Sequence, residues 1–376
     1  MPESPAKLFQ RFEEIGQKEI LDIRQDVSYP NETKQPRAWG IQDAAQMIGR
    51  SVPWVRDNSA DCPTDKNGRK LFDLPLINDL RKQTGTMYTR PPGSRPFRLA
   101  IANFKGGVGK TTTGIHLAQY AAMSGLSVLY TDLDSQGSGT LNLLNLRPDR
   151  DLGEEDTYAQ AMLKDPEEFK YCIRSSYFHG VSVAPANLYL QNLELDLINP
   201  RLNRESKVGS PYARLHFCLE DVESHFDLII LDCPPNMGML TSNAVLAANG
   251  LLVPIPPKAL DRASFTMLSG SLRRIFESVD KPVDLVRILP TLHPGTREAR
   301  KHEAKMREHY GGYITSNNMY ICTEIEKVSS RLSSIYDLDK PMDKRETYLR
   351  ALNCLNAVNQ ELIDDIKTVW EEQSHE

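Results

Sequence analysis

The sequence predicts an α/β fold in which helices cover both faces of a mostly parallel sheet, preceded by a smaller helical region. Three observations predict it. Short apolar runs alternate with helical stretches from residue 97 onward, a glycine-rich segment stands between a predicted strand and a predicted helix, and two apolar runs end in aspartate. Alternation of this kind is typical of strand–helix–strand units, whose strands pair in parallel.

The composition is that of an ordinary globular protein of two or three domains. The chain has 376 residues, of which 40% are hydrophobic and 25% charged, and single cores rarely grow beyond about 250–300 residues. A net charge of −5 requires any contact with nucleic acid to come from local basic patches. Six cysteines without a CxxC pair, and no signal peptide or apolar span, favour a cytoplasmic protein with reduced thiols.

Residues 1–30 are predicted to form an amphipathic amino-terminal helix. Apolar side chains recur every three to five positions between charges, at Leu8, Phe12, Ile15, Ile20, Ile23 and Val27. A helix alone in water cannot bury such a stripe. It packs either on its own body or on a second subunit, and the pattern leaves both open.

Residues 39–63 predict two short helices joined by a tight turn. Ala45 supplies a small side chain where the helices cross, Gly49 the turn, and Val55 an apolar contact in the second helix. Arg50 stands where an apolar residue is often found. The segment resembles a helix-turn-helix, and a helical pair that only packs is the alternative.

Residues 66–69 contain the Asn-Gly signal of a tight hairpin, and residues 74–83 predict a further helix. With the two preceding helices, residues 31–90 resemble a winged helix-turn-helix domain. The resemblance implies that the second helix faces the major groove of DNA and that the hairpin lies near phosphates. The candidate DNA contacts are Ser51, Trp54, Arg56, Arg69 and Lys70.

Residues 84–96 contain glycines and three prolines that no helix tolerates, and they mark a domain boundary. Residues 91–376 then read as a single α/β domain with a carboxy-terminal helix. Its predicted strands lie in the runs FRLAIANF, LSVLYTDL, FDLIILDCP, GLLVPIP and VDLVRILP.

The segment FKGGVGKTT, residues 104–112, follows the predicted strand at 98–103 and opens a predicted helix at 111–123. Glycines at this point let backbone N–H groups turn inward to phosphate oxygens, next to the positive end of the helix. The order predicts the phosphate loop of a P-loop NTPase, in which we expect Lys110 to reach the β- and γ-phosphates and the Thr111 hydroxyl to ligate Mg²⁺. The expected nucleotide-binding residues are Lys105, Gly106, Gly107, Val108, Gly109, Lys110, Thr111 and Thr112.

The loop departs from the standard motif, because Phe104 replaces its first glycine and Lys105 adds a second lysine. The pattern KGGxGKT resembles the deviant Walker A family, which contains the ParA and MinD ATPases and the nitrogenase iron protein. The resemblance implies that Lys105 reaches the partner's phosphates in a nucleotide-sandwich dimer.

Two aspartate motifs follow predicted strands, at the sheet edge where open α/β sheets bind ligands. LYTDLDSQGSGT resembles the family's DxDxQ motif, which implies that Asp134 positions or polarises the attacking water with Asp132 nearby. A helix cap is the alternative role for Asp134. In FDLIILDCPPNMG, the aspartate that closes the apolar run is Asp232, and we expect it to hold Mg²⁺ through water.

The resemblance to ParA covers most of residues 97–350, and the preceding helix-turn-helix is similar to the larger ParA subclass that represses its own operon. It implies ATP and ADP as ligands with Mg²⁺, an ATP-driven homodimer on nonspecific DNA, and a ParB-type partner that stimulates weak hydrolysis. It also implies binding to an operator and a nucleoid-associated location without a membrane.

Basic residues that nonspecific DNA binding requires occur late in the chain. The candidates are Arg297, Arg300, Lys301, Lys305, Lys327 and Arg331, and solvated surface charge is the alternative for each. The predicted carboxy-terminal helix at 343–372 ends in the acidic sequence VWEEQSHE, unlike a MinD membrane anchor. Two other functions are weighed: a repressor whose phosphate loop only senses nucleotide, and an electron carrier like the nitrogenase iron protein, for which no fitting cysteine pair is present.

Overall fold

The computed structural model describes residues 7, 8, 10–12, 15, 34, 37–144, 146–201, 208–279 and 281–375. Residues 7, 8, 10–12 and 15 are helical, as predicted, and the side chains of Phe12 and Ile15 are exposed. The rest of the predicted amino-terminal helix lies outside the described residues. None of the described helices is both long and apolar enough to cross a membrane.

Between residues 37 and 96 the chain forms three α-helices: α1 (Ile41–Ile48), α2 (Val52–Asp57) and α3 (Leu74–Thr84). Gly49 ends α1 with a φ of 74°, a left-handed conformation that glycine adopts without strain. Ser51 accepts a bond from Trp54 N–H at the start of α2, and Asp73 does the same for Leu76 in α3. The buried residues between the three helices are Trp39, Ala44, Ala45, Ile48, Val55, Phe72, Ile77 and Leu80.

The Asn-Gly segment turns the chain, but its geometry differs from that of a two-residue hairpin. Gly68 has a φ of 74°, whereas Asn67 is not among the residues with positive φ. The Asp65 N–H donates a hydrogen bond to the Arg69 carbonyl. The Asp65 carboxylate accepts hydrogen bonds from the N–H groups of Asn67 and Arg69. The turn is therefore a wider one, of the kind that ends in a glycine bulge, because the Asp65 carboxylate satisfies its inner N–H groups.

The sheet has seven strands in the order β3-β4-β2-β5-β1-β6-β7. Only β3 is antiparallel to its neighbour. The strands are β1 (Phe97–Ile101), β2 (Val128–Asp132), β3 (Arg174–Ser175), β4 (Val181–Ala184), β5 (Leu228–Asp232), β6 (Gly250–Ile255) and β7 (Leu285–Pro290). The five predicted strands are confirmed, and β3 and β4 are additional.

Helices cover both faces of this sheet, as predicted. One face of β1, β2 and β5 buries Leu99, Tyr130 and Ile230 in a core shared with α4 (Lys110–Met123) and α15 (Arg345–His375). The other face forms a second core with α7 (Ala159–Leu163), α10 (Arg214–Glu220) and α11 (Met239–Ala247). The remaining helices are α5 (Ser138–Leu143), α6 (Pro148–Asp151), α8 (Phe169–Cys172), α9 (Leu190–Leu197), α12 (Ala259–Ser278), α13 (Arg297–Tyr310) and α14 (Thr323–Ser330).

The last helix, α15, joins distant parts of the chain. Its Trp370 is buried, donates its indole N–H to the Arg95 carbonyl over 2.9 Å and stacks on Tyr88. Asp365 forms an ion pair with Arg287 of β7. The core between α1, α2 and α3 is continuous with the sheet face that α15 covers, so apolar contacts pass across the segment at 84–96.

Candidate nucleotide site

The loop between β1 and α4 is anchored at both ends. Asn103 donates its side-chain amide to the Pro254 carbonyl over 2.6 Å and accepts the Lys105 N–H. Thr291, at the end of β7, donates its hydroxyl to the Val108 carbonyl over 2.7 Å. These contacts hold the two ends of the loop against β6 and the end of β7.

Glycines shape the inside of the loop. Gly107 and Gly109 have φ values of 70° and 93°, which a residue with a Cβ adopts only with strain. Gly109 is the amino-terminal cap of α4 and offers no side chain to its free N–H groups. Those N–H groups remain available to an anion, which is the arrangement that binds phosphate.

The first residues of α4 supply the predicted polar groups. Lys110 is 7% exposed and its ammonium contacts the Lys105 carbonyl at 3.2 Å. Burial lowers the pKa of Lys110, and the nearby charge of Asp232 opposes this effect. Thr111 and Thr112 border a cavity of about 310 Å³ that α5 and residues 329–333 also line. The structure thus places Lys110, Thr111 and Thr112 together at the mouth of the loop.

Asp132 and Asp232 end the paired strands β2 and β5 and are both fully buried. Asp132 accepts the N–H and hydroxyl of Thr140 at 2.7 and 2.8 Å. Asp232 accepts the Tyr130 hydroxyl at 2.6 Å on Oδ2, and its Oδ1 has no hydrogen-bond partner among the described residues. Burial raises the pKa of Asp132 to about 7 and that of Asp232 to about 6. Such a pair of carboxyls favours the arrival of a cation.

Asp134 lies in the turn after β2 and is half-buried. Its carboxylate accepts the Gln136 N–H at 3.0 Å, and its carbonyl accepts the Gly137 N–H. In this structure the carboxylate therefore closes a local turn by accepting a backbone N–H. This role is similar to the helix cap that the sequence left open as the alternative for Asp134. The charge of Asp134 contributes to raising the pKa of Asp232 and opposes the lowering of the Lys110 pKa by burial.

Lys105 is held by a residue that the sequence did not indicate. Its ammonium lies 2.7 Å from Asp261 Oδ1; the lysine side chain is 47% exposed and the aspartate 2%. Asp261 Oδ2 has no hydrogen-bond partner in the described part of the chain. Lys105 thus points to α12, away from its own loop. Spacing in the sequence does not place Asp261 beside the loop, because helix α12 comes next to the loop only in the folded sheet.

Three other residues that shape the site are Asn103, Tyr130 and Thr291. Only Tyr130 has a sequence signal, since residues two apart on a strand face the same side and Asp132 follows it by two. Asn103 and Thr291 act through the backbone of the loop, and their contacts depend on which strands are neighbours.

The candidate DNA contacts of the first region are mostly accessible. Ser51, Arg56 and Arg69 are exposed, and Trp54 is half-buried. The Lys70 ammonium instead donates to the carbonyls of Arg56 and Ser59 at the end of α2. Lys70 thus stabilises the join between hairpin and helix in this structure, and Arg69 is the more accessible cation of the hairpin.

The late basic residues are also exposed, on two separate helices. Arg297, Arg300, Lys301 and Lys305 lie on α13, and none of them forms an ion pair with another described residue. Lys327 of α14 pairs with Asp343 over 3.0 Å, and Arg331 follows that helix. Within the described ranges, the α13 residues form the denser group of unpaired cations.

The cysteines are dispersed, and the described residues contain no cluster of metal ligands. All six cysteines are free, and five are buried. Within the part of the chain that the structure describes, no group of three or more His, Cys, Asp or Glu side chains could hold a metal ion. This arrangement offers no support for an iron–sulfur carrier.

Relatives in sequence share the region that contains this site. The AAA domain family matches residues 98–284, which include the loop and both aspartate motifs. A Rhizobium rhizogenes protein provisionally named replication protein A is 30% identical over 362 residues, covering 91% of this chain and 89% of that protein. The chromosome-partitioning ATPase Soj of Thermus thermophilus is 32% identical over 215 residues, covering 57% of this chain and 77% of its own.

Solved structures share the fold. A partition protein superposes with a TM-score of 0.66 over 94% of this chain and 98% of its own, at 18% identity. The cobyrinic acid a,c-diamide synthase of Mycobacterium smegmatis, solved with an ATP analogue and magnesium, has a TM-score of 0.53 and 26% identity over 63% of this chain and 91% of its own. Nucleotide and magnesium therefore bind within this fold.

Proposed function

This chain belongs to the ParA-type family of partition ATPases, and on that premise we propose that it couples slow, Mg²⁺-dependent ATP hydrolysis to DNA segregation. ATP binding drives a sandwich homodimer that coats nonspecific DNA, and a ParB-type partner stimulates hydrolysis and release. The observation that carries the proposal is the anchored glycine loop, with Lys110 and Thr111 inside it and a second lysine, Lys105, beside it.

The loop residues bind different parts of the ATP triphosphate. The N–H groups of residues 106–112 bind phosphate oxygens, and Lys110 neutralises the β- and γ-phosphates. Burial of Lys110 strengthens that interaction, because charges attract more strongly away from water. Asp134 orients the attacking water once its turn opens toward the γ-phosphate.

The residues present fit a magnesium ion that arrives with the nucleotide. Mg²⁺ takes oxygen ligands, keeps several waters and is held by one or two carboxylates with substrate phosphates. Thr111 supplies a hydroxyl, and the unpartnered Asp232 Oδ1 is free to accept from a metal-bound water. When bound, the ion neutralises charge that develops on the phosphates. Thr111 and Asp232 are the residues that hold it.

Lys105 exchanges partners in the proposed cycle. In the isolated chain its ammonium pairs with Asp261, and in the sandwich dimer it reaches the partner's phosphates. The lysine is half-exposed, so it can leave without unpacking a core. Leu260 and Met267 of the same helix α12 are largely exposed, which supports burial of this face when the dimer forms.

The proposed surface for nonspecific DNA is centred on α13. Arg297 and Arg300 lie in its first turns, where cations oppose the helix dipole and anions are favoured. Their lack of acidic partners among the described residues supports a phosphate partner. Lys327 and Arg331 are proposed to extend this surface.

We further propose that residues 31–90 form a domain that binds an operator and represses the operon, followed by the ATPase domain at 91–376. The turn at Gly49 and the exposed side chains of Ser51 and Arg56 support this role. The same observations favour the second candidate, a repressor whose phosphate loop only senses nucleotide.

Binding to operator-free DNA with ATP, ADP or no nucleotide, over a salt series, separates the two candidates. We expect salt-sensitive coating with ATP alone, its loss in Lys110→Ala, and prolonged coating in Asp134→Ala. Lys164→Ala, which removes an exposed lysine at the end of α7, is the matched control. Binding confined to one operator whatever the nucleotide establishes the repressor instead.

A further inference from the structure

Tyr130 lies beside the paired aspartates and has no role in the cycle described so far. It is fully buried on β2, two residues before Asp132, and its hydroxyl donates to Asp232 Oδ2 over 2.6 Å. Residues two apart on a strand share a face, so Tyr130 and Asp132 both face the helices α4 and α5. Its hydroxyl reaches the Asp232 carboxylate from the neighbouring strand β2.

Two glycines inside helices make room for the Tyr130 ring. A Cβ on Gly114 of α4 would lie 3.1 Å from ring atom Cε2, and one on Gly139 of α5 would lie 2.6 Å from the hydroxyl oxygen. Glycine inside a helix costs about 1 kcal/mol relative to alanine. The ring is therefore the contact at which the loop helix α4, helix α5 and Asp232 meet.

The hydrogen bond from the Tyr130 hydroxyl determines which carboxylate oxygen of Asp232 remains available to another ligand. Oδ2 is used by Tyr130, while the buried Oδ1 has no hydrogen-bond partner in the described residues. A carboxylate fixed on one oxygen presents the other in a single direction, with less rotational freedom to lose on binding. Without the hydroxyl, Oδ2 of Asp232 loses this hydrogen bond, and the Thr111 side chain is the hydroxyl that remains beside the carboxylate.

Helix α5 contacts Asp132 directly and lies against Tyr130, which bonds Asp232. Thr140 donates its N–H and hydroxyl to Asp132, and neighbouring Gly139 contacts the Tyr130 ring. The turn that contains Asp134 runs directly into this helix. A shift of the Tyr130 ring therefore moves the start of α5 and the turn before it.

We propose that Tyr130 is a positioning residue of the nucleotide site. It fixes Asp232 with Oδ1 free for a magnesium-bound water, and by packing on Gly139 it keeps α5 and the Asp134 turn aligned with that oxygen. The inference rests on the function proposed above and adds a residue that acts through Asp232.

The test is a Mg²⁺ titration of equilibrium binding of a fluorescent ATP analogue to the full chain. Tyr130→Phe removes only the hydroxyl, and we expect the Mg²⁺ concentration for half-maximal binding to rise about tenfold, the effect of one hydrogen bond to a charged group. Binding in the absence of Mg²⁺ is expected to stay unchanged. Tyr120→Phe, which loses a hydroxyl bond to Gln360 on α15, is the matched control and leaves the Mg²⁺ requirement unchanged.

Two further variants separate positioning from a general loss of structure. In an Asp232→Asn background, Tyr130→Phe is expected to add no further change in the Mg²⁺ requirement, because the residue acts through that carboxylate. Gly139→Ala keeps the hydroxyl but displaces the ring, and it is expected to raise the Mg²⁺ requirement as well.

An unchanged Mg²⁺ requirement in both folded Tyr130→Phe and Gly139→Ala overturns the positioning role. The positioning role is also overturned if Tyr130→Phe raises the Mg²⁺ requirement equally in the wild-type and Asp232→Asn backgrounds. A wild-type chain that binds the analogue without any dependence on Mg²⁺ overturns the proposed function itself, which is a different result from either of these.

Discussion

Asp261 sets the resting position of Lys105. It is almost completely buried, and Lys105 is its only ionic partner among the described residues. Removing one partner of such a pair leaves a buried charge without compensation, which is more costly than removing both. In the proposed dimer, a partner's phosphates therefore have to compete with Asp261 for Lys105.

We predict that Lys105→Ala lowers the free energy of unfolding by roughly 1–3 kcal/mol, below the full cost of a buried pair because Lys105 is half-exposed. Adding Asp261→Asn to Lys105→Ala is expected to restore most of the loss. Urea denaturation of the four combinations measures the coupling. Lys258→Ala, an exposed lysine at the start of α12, is the control, and a loss in Lys105→Ala no larger than in this control contradicts the prediction.

Cys354 is the one cysteine that is not fully buried. A hydrogen bond from the Cys322 thiol lowers the pKa of Cys354 to about 7, and the Tyr320 N–H, 3.4 Å from its sulfur, acts in the same direction. Burial raises the pKa of the Cys172, Cys218 and Cys233 thiols. A thiolate at neutral pH is therefore expected at Cys354 alone among these four.

We predict that iodoacetamide alkylates Cys354 first, with a rate that rises through pH 7 and levels off by about pH 8, since the thiolate is the nucleophile. Mass spectrometry of the modified peptide measures the rate. Cys322→Ala removes the donor and is expected to move the rise to higher pH, toward the usual value of about 8.5. A rate that still climbs beyond pH 9 in the wild type argues against the lowered pKa.

Residues of the site differ in how far the sequence predicts them. Gly107, Gly109, Lys110 and Thr111 follow one another between a strand and a helix, so spacing alone places them together. Asp232 required a second strand, whose final aspartate is a local signal. Asp261 and Thr291 have no local signal, because they reach the loop only through the neighbours β6 and β7.

At the scale of elements, the turn between α1 and α2 depends on Gly49. Its left-handed φ of 74° allows its N–H and that of Arg50 to bond the last carbonyls of α1. A Cβ there would meet no atom closer than 4.0 Å, so strain in the backbone, and not crowding, opposes substitution.

We predict that Gly49→Ala costs about 1 kcal/mol of stability, because alanine adopts this conformation poorly. Gly40→Ala is the matched control: Gly40 caps the other end of α1 with an ordinary φ of −71° and open space around it, and a change of a few tenths of a kcal/mol is expected. Urea denaturation compares the two variants, and equal losses refute the role of the turn.

The strands show where pattern-based prediction ends. The predicted strands β1, β2, β5, β6 and β7 have five or six residues each and are mostly apolar, as buried parallel strands are. β4 has four residues with a serine among them, and β3 has two exposed residues, Arg174 and Ser175. Neither is long or apolar enough to differ from a loop. They form because β2 offers an unpaired edge, which only the assembled sheet provides.

At the scale of the whole molecule, the first three helices and the sheet share a continuous core. The glycines and prolines at 84–96 predicted a domain boundary because they cannot continue a helix. This local property does not show which side chains pack across the boundary. Tyr88 on Trp370 is one such contact. The division into domains at 30 and 90 stays a prediction that unfolding can test.

We predict that the two regions unfold together, because separating them exposes apolar surface. Trp370→Phe leaves Trp39 and Trp54 as fluorescent reporters of the first region, and replacing those two by phenylalanine leaves Trp370 to report on the other. Coincident urea midpoints are expected for the two variants. An earlier transition seen only by Trp39 and Trp54 shows that the first region unfolds alone.

The position of α15 has a consequence for the order in which the chain acquires its structure on the ribosome. Tyr120, on the helix that begins in the nucleotide loop, bonds Gln360 of α15, which is 240 residues later in the chain. At about 5–20 residues per second, α15 is synthesised roughly 12–50 s after α4. Until then one face of α4 is uncovered, so the nascent chain acquires a finished nucleotide site only when synthesis is nearly complete.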